Sequence, residues 1–194
     1  MKNFIKNLCK IRCSYESANA AFNKVRRELF KLGMFTDAMD EVEAEWQQFA
    51  VGALLNIEYF KRCGLGKPNV MGFCTAENRV CIPEFVLGRD CSVLDVMRHE
   101  FGHACANAYP EIFASEEFKR AFGNKYGDFA AIDAGKWKEF CVSEYAAEST
   151  EEDFAETFMY YLKHKGKIPK AYGGNKHIKL KWKFIERLAG KISR

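Results

Sequence analysis

Apolar residues recur at three- and four-residue spacing in the first part of the chain, as they do in amphipathic helices. Over 14–32 this spacing predicts a helix that Gly33 ends. A second, longer helix is predicted from Thr36 or Asp37 to about Cys63, because acidic residues are concentrated in its first turns, where they interact favourably with the helix dipole. The first third of the chain is therefore expected to be helical.

Two short apolar runs follow, and their composition is that of β-strands. Residues 70–74 and 79–86 flank a polar segment at 75–78, which predicts a β-hairpin. Pro83 has no amide hydrogen to donate, so its strand is expected to lie at a sheet edge or to end there. This hairpin is the one clear strand region of the sequence.

Helical spacing returns in the second half of the chain. Ser92 and Asp95 match a capping box at the start of a helix that Pro110 ends. A shorter helix is predicted from Ser115 to Phe122, before a loop that contains several glycines. The second half is therefore expected to alternate helices and loops.

The next helix is predicted to begin at Ser149 or Thr150, and it carries aromatic residues on one side. With no internal repeat and no linker, we expect a single domain over 1–194. Together the elements predict a mostly helical α+β fold. Its small mixed or antiparallel sheet, the hairpin near 69–86, is expected to lie beside the helix that begins after Ser92.

Length and composition are those of an ordinary globular domain. The chain has 194 residues, of which 48% are hydrophobic and 29% charged, enough to bury a core in one domain. The first twenty residues lack the apolar run of a signal peptide, and no run approaches the roughly 18 apolar residues of a membrane span. We therefore expect a cytoplasmic protein without a membrane span, with delivery outside the cell by a non-classical route still open.

Positive charge is concentrated at the C-terminal end. Residues 163–194 contain 11 Lys and Arg residues and one acidic residue, Glu186, whereas the whole chain has a net charge of +4. Such a tail could contact nucleic acid, anionic lipid or an acidic partner. Lysine-rich ends are more often simply solvated, so nucleic acid is only a weak expectation as a partner.

Eight cysteines are spread over the chain, and none forms a C-x-x-C pair, so a cysteine zinc site has little support. Without a signal peptide, reduced and buried thiols are expected. Cys74 and Cys81 flank the turn of the predicted hairpin, so a disulfide could join them in an oxidising compartment.

The most specific chemical pattern is the pentapeptide His99-Glu100-Phe101-Gly102-His103 within a predicted helix. Helical residues four apart are separated by about 40° around the axis and roughly 6 Å along it, so both imidazoles point the same way. Such a pair can bind one zinc ion, and Glu100 can reach a water on the same metal. A solvated helix face that happens to carry two histidines is the simpler alternative.

A catalytic zinc ion needs a third protein ligand and an open position for water. The metzincin pattern is excluded, because its glycine and third histidine would fall on Ala106 and Tyr109. His164 and His177 lie in or beside the basic tail, where exposed surface roles are expected. The third ligand is therefore expected to be a carboxylate.

Glu152 and Glu156 offer such carboxylates. They are four residues apart on one helix face, so one can bind zinc while the other accepts a hydrogen bond from a ligand histidine. Alternatively, Ser149 and Glu152 form only a capping box. The two roles of Glu152 conflict, because a side chain folded back onto the backbone cannot reach a metal.

The motif at 99–104, followed by Tyr145 and the segment 152–158, resembles the protease domain of anthrax lethal factor and its bacterial relatives, including the Pro-Pro endopeptidases. These are zincins whose third ligand is a glutamate, with a tyrosine seven residues before it, which is the spacing of Tyr145 and Glu152. The resemblance covers roughly residues 68–165 and implies a zincin-like domain. That domain would comprise a helical part at 14–63, a catalytic core at about 68–165 and a basic tail at 163–194.

The resemblance also implies the composition of the site. It assigns His99, His103 and Glu152 to one zinc ion as ligands. It assigns Glu156 to a hydrogen bond with a ligand histidine. The large receptor-binding and substrate-docking parts of the toxin have no counterpart in this sequence, so neither its delivery nor its targets are implied.

The expected activity is hydrolysis of a peptide or protein substrate by a zinc-activated water, with endopeptidase action expected. Glu100 would be the general base, and Tyr145 would donate a hydrogen bond to the developing oxyanion or protonate the leaving group. The edge of the strand near 79–86 could align an extended substrate by strand addition.

Three other classes stay open. One is a zinc-bound module that only binds partners, although structural zinc has no use for a glutamate at position 100. Another is a toxin or effector that is a peptidase in a foreign cell. The third is a nucleic-acid-binding protein that acts through the tail at 163–194.

Overall fold

A computed structural model describes residues 15–47, 72–83, 92–128 and 136–192. These residues are mostly helical with a three-stranded mixed sheet, which confirms the predicted α+β class. The α-helices are α1 (Tyr15–Lys31), α2 (Asp37–Asp40), α3 (Val93–Ala108), α4 (Pro110–Phe113), α5 (Glu116–Phe122), α6 (Trp137–Phe140), α7 (Thr150–Lys163) and α8 (Lys176–Ile192), with 3-10 turns at Tyr145–Ala147 and Lys170–Tyr172. None of the helices described is both long and apolar enough to cross a membrane.

The first predicted helix is confirmed as α1. Its buried positions have the three- and four-residue spacing of a single helix face, and they are Ala18, Ala21, Val25 and Leu29. Gly33 follows the helix in a left-handed conformation with φ of 68°. The amide of Met34 then donates to the carbonyl of Leu29, which satisfies a carbonyl at the helix end.

The second predicted helix begins at Asp37 as expected, but the prediction of a long helix is wrong after Asp40. Helix α2 ends at Asp40, and strand β1 (Glu43–Gln47) follows. Glutamate and alanine favour helices, but β1 pairs along its whole length with a distant strand, and this pairing overrides the local preference. The rest of the predicted helix, 48–63, lies outside the described residues.

The predicted hairpin is confirmed. Strand β2 (Phe73–Cys74) pairs antiparallel with β3 (Arg79–Pro83), and β3 also pairs with β1 in parallel, so β3 is the central strand of the order β1-β3-β2. The expectation that the strand of Pro83 lies at a sheet edge is therefore wrong. Pro83 is the last residue described in this strand, and the rest of the predicted strand, 84–86, lies outside the described residues.

No disulfide joins Cys74 and Cys81. Cys81 lies opposite Phe73, and Cys74 lies opposite Val80. Residues directly opposite each other share a face of a sheet and neighbours along a strand alternate, so the two cysteines point to opposite faces. Both are free thiols, and the disulfide considered from the sequence is not formed.

Helix α3 is the central element for the site. Helices α1 and α7 and strands β2 and β3 all pack against it. Every residue from Val96 to Gly102 is consequently buried, including the polar side chains of Arg98, His99 and Glu100. The candidate chemistry therefore lies on an enclosed helix rather than on a solvated surface.

The basic C-terminal segment is not simply solvated. Over Lys176–Ile192 it forms α8, whose buried face includes Ile178 and Ile185. Lys181 is only 3% exposed, and its ammonium group donates to Asp153 of α7 and to the carbonyl of Phe140. One face of the segment is therefore part of the protein core, and the other carries most of its charge.

Candidate metal centre

Helices α3 and α7 bring the predicted metal ligands together. They cross at Gly102, where an added Cβ would lie 2.9 Å from the Cα of Ala155. The helices can approach so closely only because Gly102 has no side chain. This approach places His99 and His103 of α3 opposite Glu152, which lies in the first turn of α7.

Three potential ligand atoms converge at this crossing. Nε2 of His99 lies 3.0 Å from Oε2 of Glu152 and 3.1 Å from Nε2 of His103. Nε2 of His103 lies 3.7 Å from the same carboxylate oxygen. Within the described ranges this is the one cluster of His, Cys, Asp or Glu side chains that could hold a metal ion.

Glu156 orients the first histidine. Its Oε1 lies 2.9 Å from Nδ1 of His99, and its Oε2 accepts a hydrogen bond of 2.6 Å from the hydroxyl of Ser143. A carboxylate only accepts hydrogen bonds, so Nδ1 of His99 carries the hydrogen. In the neutral imidazole, the lone pair on Nε2 then faces Glu152 and His103, as a metal ligand requires.

Tyr126 has the equivalent place beside the second histidine. Its hydroxyl lies 2.9 Å from Nδ1 of His103. Thr150 fixes the loop of Tyr126 by donating a 2.7 Å hydrogen bond to the carbonyl of Lys125. Burial, reinforced by the negative charge of Glu151, raises the pKa of Tyr126 well above its usual range, so the hydroxyl stays neutral.

The cluster has the properties of a cation site. Oε2 of Glu152 is buried without a hydrogen-bond partner. When both imidazoles are neutral and carry their hydrogens on Nδ1, the Nε2 atoms of His99 and His103 and Oε2 of Glu152 are three acceptor atoms that face one another. Two imidazole nitrogens and a charged carboxylate are a ligand set that zinc accepts.

Glu100 is a second buried carboxylate beside this cluster. It is 4% exposed, and its Oε2 has no hydrogen-bond partner. Gly72 approaches it closely, since an added Cβ there would lie 3.0 Å from Oε1. Burial raises the pKa of Glu100, although the nearby charges of His99 and His103 oppose this. A carboxylate with a raised pKa is well suited to accept and return a proton.

Tyr145 lies at the mouth of the cluster, on the 3-10 turn Tyr145–Ala147. Its ring centroid is 5.8 Å from that of His99, and the residue is 43% exposed. Burial around its hydroxyl and the negative charges of Glu152 and Glu100 raise its pKa above the usual range. Tyr145 therefore stays protonated and can act as a hydrogen-bond donor.

The capping alternative for Glu152 is compatible with a ligand role. The hydroxyl of Ser149 accepts a 3.2 Å hydrogen bond from the amide of Glu152, which caps α7. The side chain of Glu152 is not folded back, because it lies against His99. The other histidines, His164 and His177, are not part of the cluster.

A sequence model of the family described as "Putative zinc-binding metallo-peptidase" matches residues 89–185, half of the chain. The chain belongs to this family. The match runs from just before α3 into α8, so it contains the residues discussed above with the exception of Gly72. No curated protein and no solved structure matches the chain.

In this member of the family, the structure brings all the sequence-predicted site residues into one region. They are His99, Glu100, His103, Tyr145, Glu152 and Glu156. Sequence reasoning missed Tyr126, Ser143 and Gly72, which contact these residues from loops and a strand end. Loops carry no periodic signal, and the only hint was an aromatic residue between two glycines of an otherwise polar loop.

Proposed function

We propose that the protein is a zinc-dependent peptidase in which His99, His103 and Glu152 hold one zinc ion and Glu100 is the general base. One observation carries the proposal. Three acceptor atoms converge beside a second buried carboxylate that has an unpartnered oxygen, in a member of a zinc-binding metallo-peptidase family.

When bound, zinc would lower the pKa of a water molecule towards about 7 and polarise the scissile carbonyl. Glu100 would take a proton from the attacking water and pass it to the amine nitrogen as the peptide C–N bond breaks. Its burial favours the first transfer, because it raises the proton affinity of the carboxylate. The close approach of Gly72 would hold the carboxylate in place.

Tyr145 would assist from the solvent side of the site. It stays protonated, and its ring lies beside that of His99. The hydroxyl would donate a hydrogen bond to the oxyanion that develops on the substrate carbonyl, or protonate the leaving group. Removal of that hydroxyl is expected to reduce kcat more than it changes substrate binding.

The edge of β2, rather than that of β3, is the surface that we propose for the substrate. Strand β3 is covered on both sides, whereas β2 is an edge strand of the described sheet. Gly72, directly before β2, lies against Glu100. An extended peptide added to this edge would therefore run past the general base, as internal cleavage of a chain requires.

We further propose that the protein is a zincin with a glutamate ligand, similar to the lethal factor protease domain. The spacing of Tyr145 and Glu152, and the position of Glu156 against His99, support this subclass.

Metal analysis and a peptide-library assay on the wild type and Glu100→Gln test this function. Both proteins should contain about one zinc ion, and the variant should lose cleavage by about a hundredfold or more. His164→Gln, a histidine outside the cluster, is the matched control and should behave as the wild type. If the wild type binds zinc but cleaves no peptide that Glu100→Gln leaves intact, the peptidase proposal fails. The protein would then be a zinc-bound module that binds partners.

A further inference from the structure

The hydroxyl of Ser143 lies between two parts of the site. On one side it is 2.6 Å from Oε2 of Glu156, the carboxylate that contacts His99. On the other side it is 3.1 Å from the amide nitrogen of Ala146, in the 3-10 turn that carries Tyr145. One small side chain therefore contacts both the partner of a ligand histidine and the turn of the exposed tyrosine.

The hydrogen atoms in these hydrogen bonds can be assigned in one consistent way. The amide of Ala146 can only donate, so the oxygen of Ser143 accepts from it. The single hydroxyl hydrogen of Ser143 is then available to Glu156, which accepts a second hydrogen bond from Nδ1 of His99. Each donor and acceptor is used once, and the hydrogen between His99 and Glu156 lies on Nδ1 of His99.

We propose that Ser143 is a positioning residue that couples the orientation of His99 to the placement of Tyr145. The inference rests on the proposed function, in which His99 is a metal ligand and Tyr145 acts on the substrate. A shift of Glu156 would be transmitted through Ser143 to the turn, and a shift of the turn would be transmitted back to His99. The position of Tyr145 relative to His99 would thus stay constant.

Ser115 provides a comparison within the same chain. Its hydroxyl also accepts from a backbone amide, that of Phe118, and also donates to an acceptor, the carbonyl of Ile112. Both of its partners are backbone groups, one in the helix that it caps and one in the preceding helix α4, and neither belongs to the cluster. The two serines therefore have equal numbers of hydrogen bonds, but only Ser143 connects to a side chain of the site.

The first experiment compares Ser143→Ala with Ser115→Ala and with Ser143→Thr, which keeps a hydroxyl. Zinc affinity is measured by competition with a chelator, and the tautomer of His99 is read from long-range 1H–15N NMR spectra of the zinc-free protein. Ser143→Ala should weaken zinc binding roughly tenfold to a hundredfold and reduce the population of the Nδ1–H tautomer. Ser115→Ala and Ser143→Thr should leave both properties close to those of the wild type.

The second experiment tests the coupling itself. Hydrogen exchange of the Ala146 amide is measured in the wild type, in Ser143→Ala and in Glu156→Gln. Exchange should be faster in both variants, although Glu156 does not contact that amide. Unchanged exchange in Glu156→Gln, or an unchanged His99 tautomer in Ser143→Ala, would overturn the inference.

A cleavage assay separates this inference from the proposed function. The effects of Ser143→Ala and Tyr145→Phe on kcat should be less than additive in the double variant. Both substitutions would act on catalysis through the hydroxyl group of Tyr145. If the wild type cleaves no peptide, the proposed function fails, while the tautomer and exchange results still decide the role of Ser143. Fully additive effects on kcat would refute the link to Tyr145.

Discussion

Tyr126 and His103 form a hydrogen bond of 2.9 Å in which a neutral hydroxyl occupies the place that a carboxylate has beside the other histidine. His99 therefore has an anionic partner and His103 an uncharged one. An anionic partner makes an imidazole a stronger ligand than a neutral partner does. The two histidines are thus expected to contribute unequally to metal affinity.

Replacement of Tyr126 by Phe should weaken zinc binding by about tenfold, because Nδ1 of His103 loses the hydrogen-bond partner that orients the ring. Chelator competition measures this change. Tyr109→Phe is the control, since its hydroxyl contacts Thr36 rather than a cluster residue. Equal zinc affinity in the wild type and Tyr126→Phe would show that the hydroxyl does not orient the ligand.

Replacement of Gly102 by Ala should destabilise the protein by about 1–3 kcal/mol, because the new methyl group would meet the backbone of Ala155 at the crossing of α3 and α7. Urea denaturation measures the free energy of unfolding. Gly190→Ala is a matched control in α8 with nothing within 4 Å of the added methyl, and it should stabilise the protein by up to about 1 kcal/mol. A neutral or stabilising Gly102→Ala would contradict the close helix packing.

Replacement of Lys181 by Met should cost about 3–5 kcal/mol, because the carboxylate of Asp153 would remain buried without its cationic partner. Adding Asp153→Leu to that variant should recover much of the loss, since no buried charge is then left unpaired. Lys183→Met, on the exposed side of α8, should change the free energy of unfolding by less than about 0.5 kcal/mol. Equal effects of the two lysine substitutions would mean that α8 is not packed as described.

Asp95 should make the free energy of unfolding depend on pH. Burial alone would raise its pKa, but hydrogen bonds and charges from Lys163 and then Arg98 outweigh burial and lower it. A depressed pKa contributes stability above the unfolded value of about 3.9, and the contribution is lost as the pH falls through the folded value. The difference in unfolding free energy between the wild type and Asp95→Asn should be largest near neutral pH and shrink below about pH 4.

The corresponding control is Asp37→Asn, which removes an exposed carboxylate. Its effect on stability should vary less between pH 7 and pH 3 than that of Asp95→Asn. A pH-independent difference for Asp95→Asn would indicate that the contacts with Lys163 and Arg98 do not stabilise the charged carboxylate.

Local signals made much of the fold predictable. Ser92 caps α3 with its hydroxyl as the sequence indicates, and the turn at 75–78 joins β2 to β3. Strand β1 was not predictable, because its residues favour a helix and only the distant β3 makes them extended. The position of β3 at the centre of the sheet follows from the same pairing, which no local pattern encodes.

In the candidate site, too, the features that depend on local spacing were predictable and those that depend on tertiary folding were not. His99 and His103 share a helix, so their spacing alone indicates a common direction. Glu152 and Glu156 are likewise related by one helical turn. The contact between Tyr126 and His103 depends instead on how a loop folds over α3, which is a property of the whole structure.

The proposed ligands are distributed over two helices that are distant in sequence. His99 and His103 belong to α3 and Glu152 to α7, and α4, α5 and α6 lie between them in the chain. A bound ion would close this stretch into a loop, as a disulfide does, and would restrict the unfolded chain in the same way. The ion would be a cross-link in a protein whose described cysteines form no disulfide. The free energy of unfolding would then rise with zinc concentration.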